Sequence, residues 1–502
     1  MTESHIFQPP PNSNNMNNSF FDHVKDQEEE FYFPMEDSSF STPYLDQTVL
    51  LNDGYEVDFQ DDLDDMDIIS TDNISEYLKD PILDNGEIST DISIVTSAQE
   101  NREGLISDQS LDMISSVILP AAGMEIDNEL GAFHLLMAYA EAMEMGQEEL
   151  AEVIGKRIGE KVSPIGDTLE RLMYYVFQNQ DKQTDYLKQE SLKNFHQAFK
   201  AFYQIFPNGK FAHFVANLAI LEALPKDNSK IHIFDFDIGE GIQWASLIGA
   251  IINGSNQVRE VILTSIKLES DGSSNNPLFW KFEDTKKRLC DYARPYELKL
   301  KVKEVELAHL GSELTSIQEE KGKSRDWFVF NCMIGLPHMA RIRSRKDVLD
   351  FLESAQDIFH ENRGIIIFGD GGCWEKVKNA SNYGTFLDGN MGHYQALLES
   401  IKLNFPVHLG DARTAMECLF VAPLVSSFEW AKKWEEKKKY GNLEMKLKLK
   451  GWKLSQESLM EAKEVVREGE SLYGVRIEGE RNNEMVMDWR GIPMVKVSCW
   501  KR

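Results

Sequence analysis

From about Leu130 onward, apolar residues recur at the spacing of one helix face. Phe133, Leu136, Met137 and Ala140 follow i, i+3, i+4 and i+7, and Leu150, Val153, Ile154 and Ile158 repeat the pattern. Leu169, Leu172, Met173, Val176 and Phe177 form a third stripe, Phe195, Phe199, Phe202, Tyr203 and Phe206 a fourth, and Phe211, Phe214, Val215 and Leu218 a fifth. The spacing predicts an all-helical unit over residues 130–224. Its stripes either pack only against one another or leave a surplus apolar face for a partner's helices. Glu222 follows Leu218 by four and so falls on the same stripe, where a buried carboxylate must be paired or neutral. We expect it to be a hydrogen-bonded tie between the helical unit and the next strand, with a catalytic acid as the alternative reading.

After residues 224–230 the period changes. Short apolar runs begin at Ile231 (IHIFDF), Glu260 (EVILTSI), Leu298 (LKLKVKEV), Trp327 (WFVFN) and Gly364 (GIIIF), with helix-like stretches such as 244–252 and 345–359 between them. Strands alternating with helices predict a mostly parallel sheet covered on both faces. Three turn-separated runs near the end, SLYGVRIEG, EMVMDWRG and IPMVKVSCW, read as an antiparallel meander closing that sheet. The predicted class is α/β with an N-terminal helical cap.

Charge explains why no period holds before residue 125. Residues 1–124 carry 3 Lys+Arg against 27 Asp+Glu, so most of the formal net charge of -30 lies there. With Asn/Ser tracts and scattered apolar groups, this segment cannot bury enough surface to offset the entropy of ordering. The expected division is a disordered acidic tail over 1–124, a helical cap over 125–224 and an α/β core over 225–502. Within the tail, Phe59, Leu63 and Ile68 are interleaved with carboxylates, the composition of activation segments that fold into a coactivator groove. The plainer reading is an inert solubilising tail. Cys290, Cys332, Cys373, Cys418 and Cys499 lie far apart, without a CxxC pair or histidines at metal-ligand spacing, so unpaired thiols are expected. No secretory signal and no spanning run is read in the sequence, so a protein inside the cell is expected.

The candidate chemistry centres on IHIFDFDIGEGIQW, from Ile231 to Trp244. An apolar strand ending in acids, then a glycine-spaced turn, then a helix is how a Rossmann-like nucleotide fold begins. Asp235, Gly239 and Gly241 preserve part of a cofactor loop, but the second strand ends in Lys267 where a ribose-binding carboxylate belongs. Glycines also serve the turn itself, and Asp235 serves as a cap, so no cofactor is assigned. His232 in the first strand reads as a hydrogen-bonded core residue, and Trp244, Trp489 and Trp500 as fold determinants suited also to an interface. Neither a nucleophilic triad nor a metal-ligand set is read in the sequence. The basic runs 432–453 and 340–346 offer Arg341, Arg343 and Lys346 as candidate phosphate contacts, though interspersed Glu435 and Glu436 indicate an ordinary solvated face.

Residues 130–502 resemble the GRAS family of plant transcriptional regulators in several ordered motifs. These are HLLMAYAEAM, Phe206-Pro207 before KFAHFVANLAILEA, the VHIID-like IHIFD with Gln243 and Trp244, VFNCMIGLPH, and DWRGIPMVKVSCW, whose Ser498-Cys499-Trp500 resembles the family's SAW ending. The resemblance implies a methyltransferase-type sheet used as a protein-binding scaffold. It further implies a nuclear regulator, also present in cytoplasm, that pairs with another GRAS protein and recruits coactivators. Promoter DNA would be reached indirectly, in the branch of the family that serves symbiotic signalling. The alternative class is an S-adenosylmethionine-dependent methyltransferase.

Overall fold

The computed structural model describes residues 126–501, apart from short breaks at 179–180, 255–256, 269–280, 320–325, 360–361, 373–374, 406 and 442–448. The acidic tail with Phe59, Leu63 and Ile68, Cys373, and residues 442–448 of the basic run 432–453 lie outside the described residues.

Helices come first: α1 (Ile126–Glu144), α2 (Glu148–Gly159), α3 (Thr168–Val176), α4 (Lys182–Lys193), α5 (Phe195–Ile205) and α6 (Pro207–Ala223). Asp167 and Asp181 cap α3 and α4, accepting from the Glu170 and Thr184 amides at 2.9 and 2.8 Å. Pro207 supplies the fixed φ that starts α6. The second stripe splits: Ile158 is buried, whereas Leu150 and Val153 face solvent.

The strands follow: β1 (Lys230–Asp235), β2 (Glu260–Lys267), β3 (Lys299–Glu306), β4 (Trp327–Ile334), β5 (Arg363–Asp370), β6 (Lys450–Gly451), β7 (Tyr473–Glu478), β8 (Glu484–Trp489) and β9 (Ile492–Lys501). The sheet order is β3-β2-β1-β4-β5-β9-β8-β7, with β6 pairing β9. β1 to β5 are parallel, and β9, β8 and β7 add the antiparallel meander. The fold is Rossmann-like, with the helical elements and mostly parallel sheet that the residue periods require. Between the strands stand α7 (Ile242–Asn253), α8 (Phe282–Ala293), α9 (Leu310–Glu319) and α10 (Arg345–Ile358). After β5 come α11 (Glu375–Asn379), α12 (Tyr383–Asn404), α13 (Gly410–Met416), α14 (Ser427–Tyr440) and, before β7, α15 (Gln456–Val465).

Alternation along β1 and β4 divides the core. Ile231, Ile233, Trp327 and Val329 face one apolar cluster, while Phe234, Phe328, Phe330 and Cys332 face the other, which α9 and α10 cover. The first cluster runs without a break from Leu136 and Leu172 through Phe214, Leu218 and Trp244 to Trp489, and Phe133 packs on its margin. The early helices therefore do not close on themselves. Tyr383 and Phe386 of α12 and the π-helical turn Glu417–Val421 complete their packing. Buried Arg171 of α3 donates from Nε to Glu417 at 3.1 Å, and Tyr175 donates to the same carboxylate at 3.0 Å. Trp500 lies in the second cluster, opposite Ile366 across the β5–β9 pairing.

Candidate functional site

Connections from β1 run through β2 and β3 on one side and return to β4 on the other, so the strand order reverses between β1 and β4. Folds of this kind take ligands outside the carboxyl ends of the strands at that point. There Asp235 ends β1 directly across from Asn331 of β4.

Asp235 is buried, and its carboxylate accepts from Trp244 Nε1 at 2.5 Å and Asn331 Nδ2 at 3.0 Å. Burial pushes the carboxyl up to about 7, against the pull of these two hydrogen bonds. Asn331 Nδ2 also donates to Gln243 Oε1 at 3.1 Å, and Asn217 Nδ2 of α6 donates to the Gln243 carbonyl at 2.9 Å. This polar network joins α6, β1, α7 and β4, and satisfies groups that would be costly to bury alone.

The glycine turn follows from backbone geometry. Gly239 and Gly241 have φ of 50° and 79°, and Gly241 is the N-cap of α7. A Cβ on Gly241 would sit 2.8 Å from Thr285 Cγ2, and Thr285 Oγ1 donates to the Gly239 carbonyl at 3.0 Å. Burial pushes Glu240 up to about 7, with Arg288 at 3.0 Å opposing the shift. Asp237 is gripped by Arg341 and Arg343, the latter at 2.9 Å.

That grip corrects one expectation. Arg341 and Arg343 do not stand on the surface as a phosphate-binding pair: their side chains are 14% and 5% exposed against Asp237. Only Lys346 of the three projects into solvent, pairing with Asp350 at 3.3 Å. Glu222 differs too. It is exposed rather than buried, because it lies at the end of α6, and it accepts from the hydroxyls of Ser455 and Ser458 at the start of α15. The tie thus runs to a late helix instead of to the strand that follows. His232 lies away from the network, with Nε2 3.1 Å from Asp326 and its ring stacked on Phe328 at 5.1 Å. Trp489 and Trp500 are buried in the antiparallel half of the sheet.

Sequence reasoning missed the group that fills the crevice. Phe199 and Tyr203 of α5, His213 of α6 and His338 after β4 converge beside Asp235 and Gln243. Tyr203 Oη and His213 Nδ1 lie 2.9 Å apart. Desolvation pushes His213 down to about 3 and His338 well below the usual histidine range. The remaining cavity is about 10 Å³, room for roughly one water molecule rather than a nucleoside. Lys267 ends β2 exposed, with no carboxylate for a ribose at that position. The residues here do not fit S-adenosylmethionine. Among the described residues, no helix is long and apolar enough to cross a membrane.

The GRAS domain family model matches residues 132–501. The chain is 27% identical over 417 residues to the protein Nodulation Signaling Pathway 2 of Medicago truncatula, covering 73% of this chain and 75% of that protein. Against the protein of the same name from Lotus japonicus it is 29% identical over 322 residues, covering 58% of this chain and 59% of that one, which is under two thirds of its length. The fold is similar to the crystal structure of SCL7 from Oryza sativa, with a TM-score of 0.53 at 20% identity, covering 74% of this chain and 99% of that one.

Proposed function

Since the chain belongs to the GRAS domain family, we propose that it is a non-enzymatic transcriptional regulator of nodulation signalling. It works in the nucleus through protein complexes, as a heterodimer with another GRAS protein and with coactivators, and it reaches promoter DNA through them. The family match over residues 132–501 carries this reading. The named relatives from two legumes support the signalling context.

The filled crevice supports the scaffold role over the methyltransferase alternative. Phe199, His213 and His338 take the place that an active Rossmann-type enzyme keeps for its cofactor, and Asp235 is engaged by Trp244 and Asn331. Sites that bind a nucleoside need several hundred Å³, on the order of 300 or more. The full chain incubated with labelled S-adenosylmethionine should retain no more label than an unrelated protein. Stoichiometric retention would revive the enzyme reading.

A direct test of the regulator role tethers the full chain to a reporter promoter through a foreign DNA-binding domain in plant cells. Reporter output should rise. Silence, with the fusion expressed and nuclear, would sink the activation role.

A further inference from the structure

Residues 335–344, between β4 and α10, carry several marks of stored energy in one short segment. Ala340 has φ 53° and ψ 28°, the left-handed region that an alanine adopts only under constraint. His338 is 2% exposed, and among the described residues neither ring nitrogen has a hydrogen-bond partner. One water in the adjoining cavity cannot reach both nitrogens, so part of the desolvation penalty persists. The backbone bonds of the turn are local, from Met339 N to the Leu336 carbonyl and from Ala340 N to the Pro337 carbonyl. Arg341 and Arg343 tie it to Asp237 by ion pairs.

The placement gives these marks a meaning. The segment passes over the carboxyl ends of β1 and β4 and inserts His338 among Phe199, Tyr203 and His213, with ring centroids 6.1, 5.3 and 5.1 Å away. Gly209 makes room for it: a Cβ there would lie 2.5 Å from His338 Nδ1. Strain and an unsatisfied imidazole destabilise the seated form, whereas water hydrates both nitrogens once the segment lifts. Packing and the Asp237 ion pairs hold it down.

We propose that residues 335–344 form a two-state strap, closed over the crevice as seen here and able to detach from Asp237 while the sheet beneath stays folded. Small gaps between two packings of one segment are what make such elements switchable. Opening would withdraw His338 from the crevice and release Arg341 and Arg343 together.

Two native methionines serve as reporters in the full chain: Met339 within the strap, 8% exposed, and, as the reference, Met487 on β8, which is fully buried and does not line the crevice. Peroxide oxidises a methionine when an opening exposes its sulfur. Mass spectrometry would follow both sites in the wild type, in Asp237→Asn, which loosens the anchor, and in Ala340→Gly, which relieves the backbone strain. Relative to Met487, oxidation of Met339 should rise severalfold in the first variant. In the second it should fall by about fivefold. A common rate for both methionines in all proteins would mean that the strap opens only when the sheet unfolds, and would overturn the proposal. An unchanged ratio in Ala340→Gly would do so even if Asp237→Asn failed to fold.

Discussion

At Asp235, solvation and hydrogen bonding pull against each other, and desolvation wins. The carboxyl rises from 3.8 to about 7 in the fold, so between those values the unfolded chain is ionised while the folded one keeps its proton. Stability from this group therefore falls as pH rises from about 4 to about 7. Asp235→Asn, which does not titrate, should lose less relative to the wild type at pH 7 than at pH 5 in urea unfolding. A difference independent of pH would contradict the raised value. Glu222 belongs to the other extreme. It is exposed, and Glu222→Gln should lower stability by no more than about 1 kcal/mol, since both hydroxyls donate to one oxygen and an amide oxygen can accept both. A loss several times larger in thermal unfolding would mean that the link to Ser455 and Ser458 bears more of the α6–α15 packing than its exposure implies. Neither value was readable from residue spacing. The stripe position of Glu222 is the same whether a helix continues or ends, and here it ends one residue later, at Ala223.

Among elements, the π-helical turn Glu417–Val421 and α3 share a buried charge pair, Arg171 with Glu417, each side chain 1% exposed or less. Removing one partner of such a pair leaves an uncompensated charge and costs about 3–5 kcal/mol. Glu417→Gln should show a loss of this size by chemical denaturation. Arg171→Met with Glu417→Leu should recover part of it, because the fully buried guanidinium leaves with the carboxylate, while Arg413, the second cation on Glu417 at 3.6 Å, is 18% exposed and keeps access to water. A double variant no more stable than Glu417→Gln would count against this account. The β-strands were legible because buried parallel strands are short continuous apolar runs, as in Ile365, Ile366 and Ile367 of β5. Helix α4 was not, because its buried residues are only Thr184 and Leu187. The glycine turn announced itself locally. Its partners did not: Gln243 meets Asn331 across 88 residues and Asp237 meets Arg341 across 104, and no periodicity encodes such pairings.

For the whole molecule, charge and fold are distributed differently along the chain. Residues 1–124 hold 27 of the 83 acidic residues but only 3 of the 53 basic ones, whereas the family match begins at residue 132. If the acidic segment activates transcription, fusing residues 1–124 alone to a foreign DNA-binding domain should reproduce most of the full chain's reporter output. Output confined to fusions that contain residues 125–502 would assign activation to partners of the folded part. One further consequence comes from the Arg171–Glu417 contact, whose ends lie 246 residues apart. A ribosome adding about 5–20 residues per second delivers Glu417 on the order of 10–50 s after Arg171. Through that interval the first helices leave the exit tunnel with apolar faces uncovered and a guanidinium awaiting its counter-ion. Nascent chains stalled short of Glu417 are therefore the form of this protein most exposed to chaperone capture.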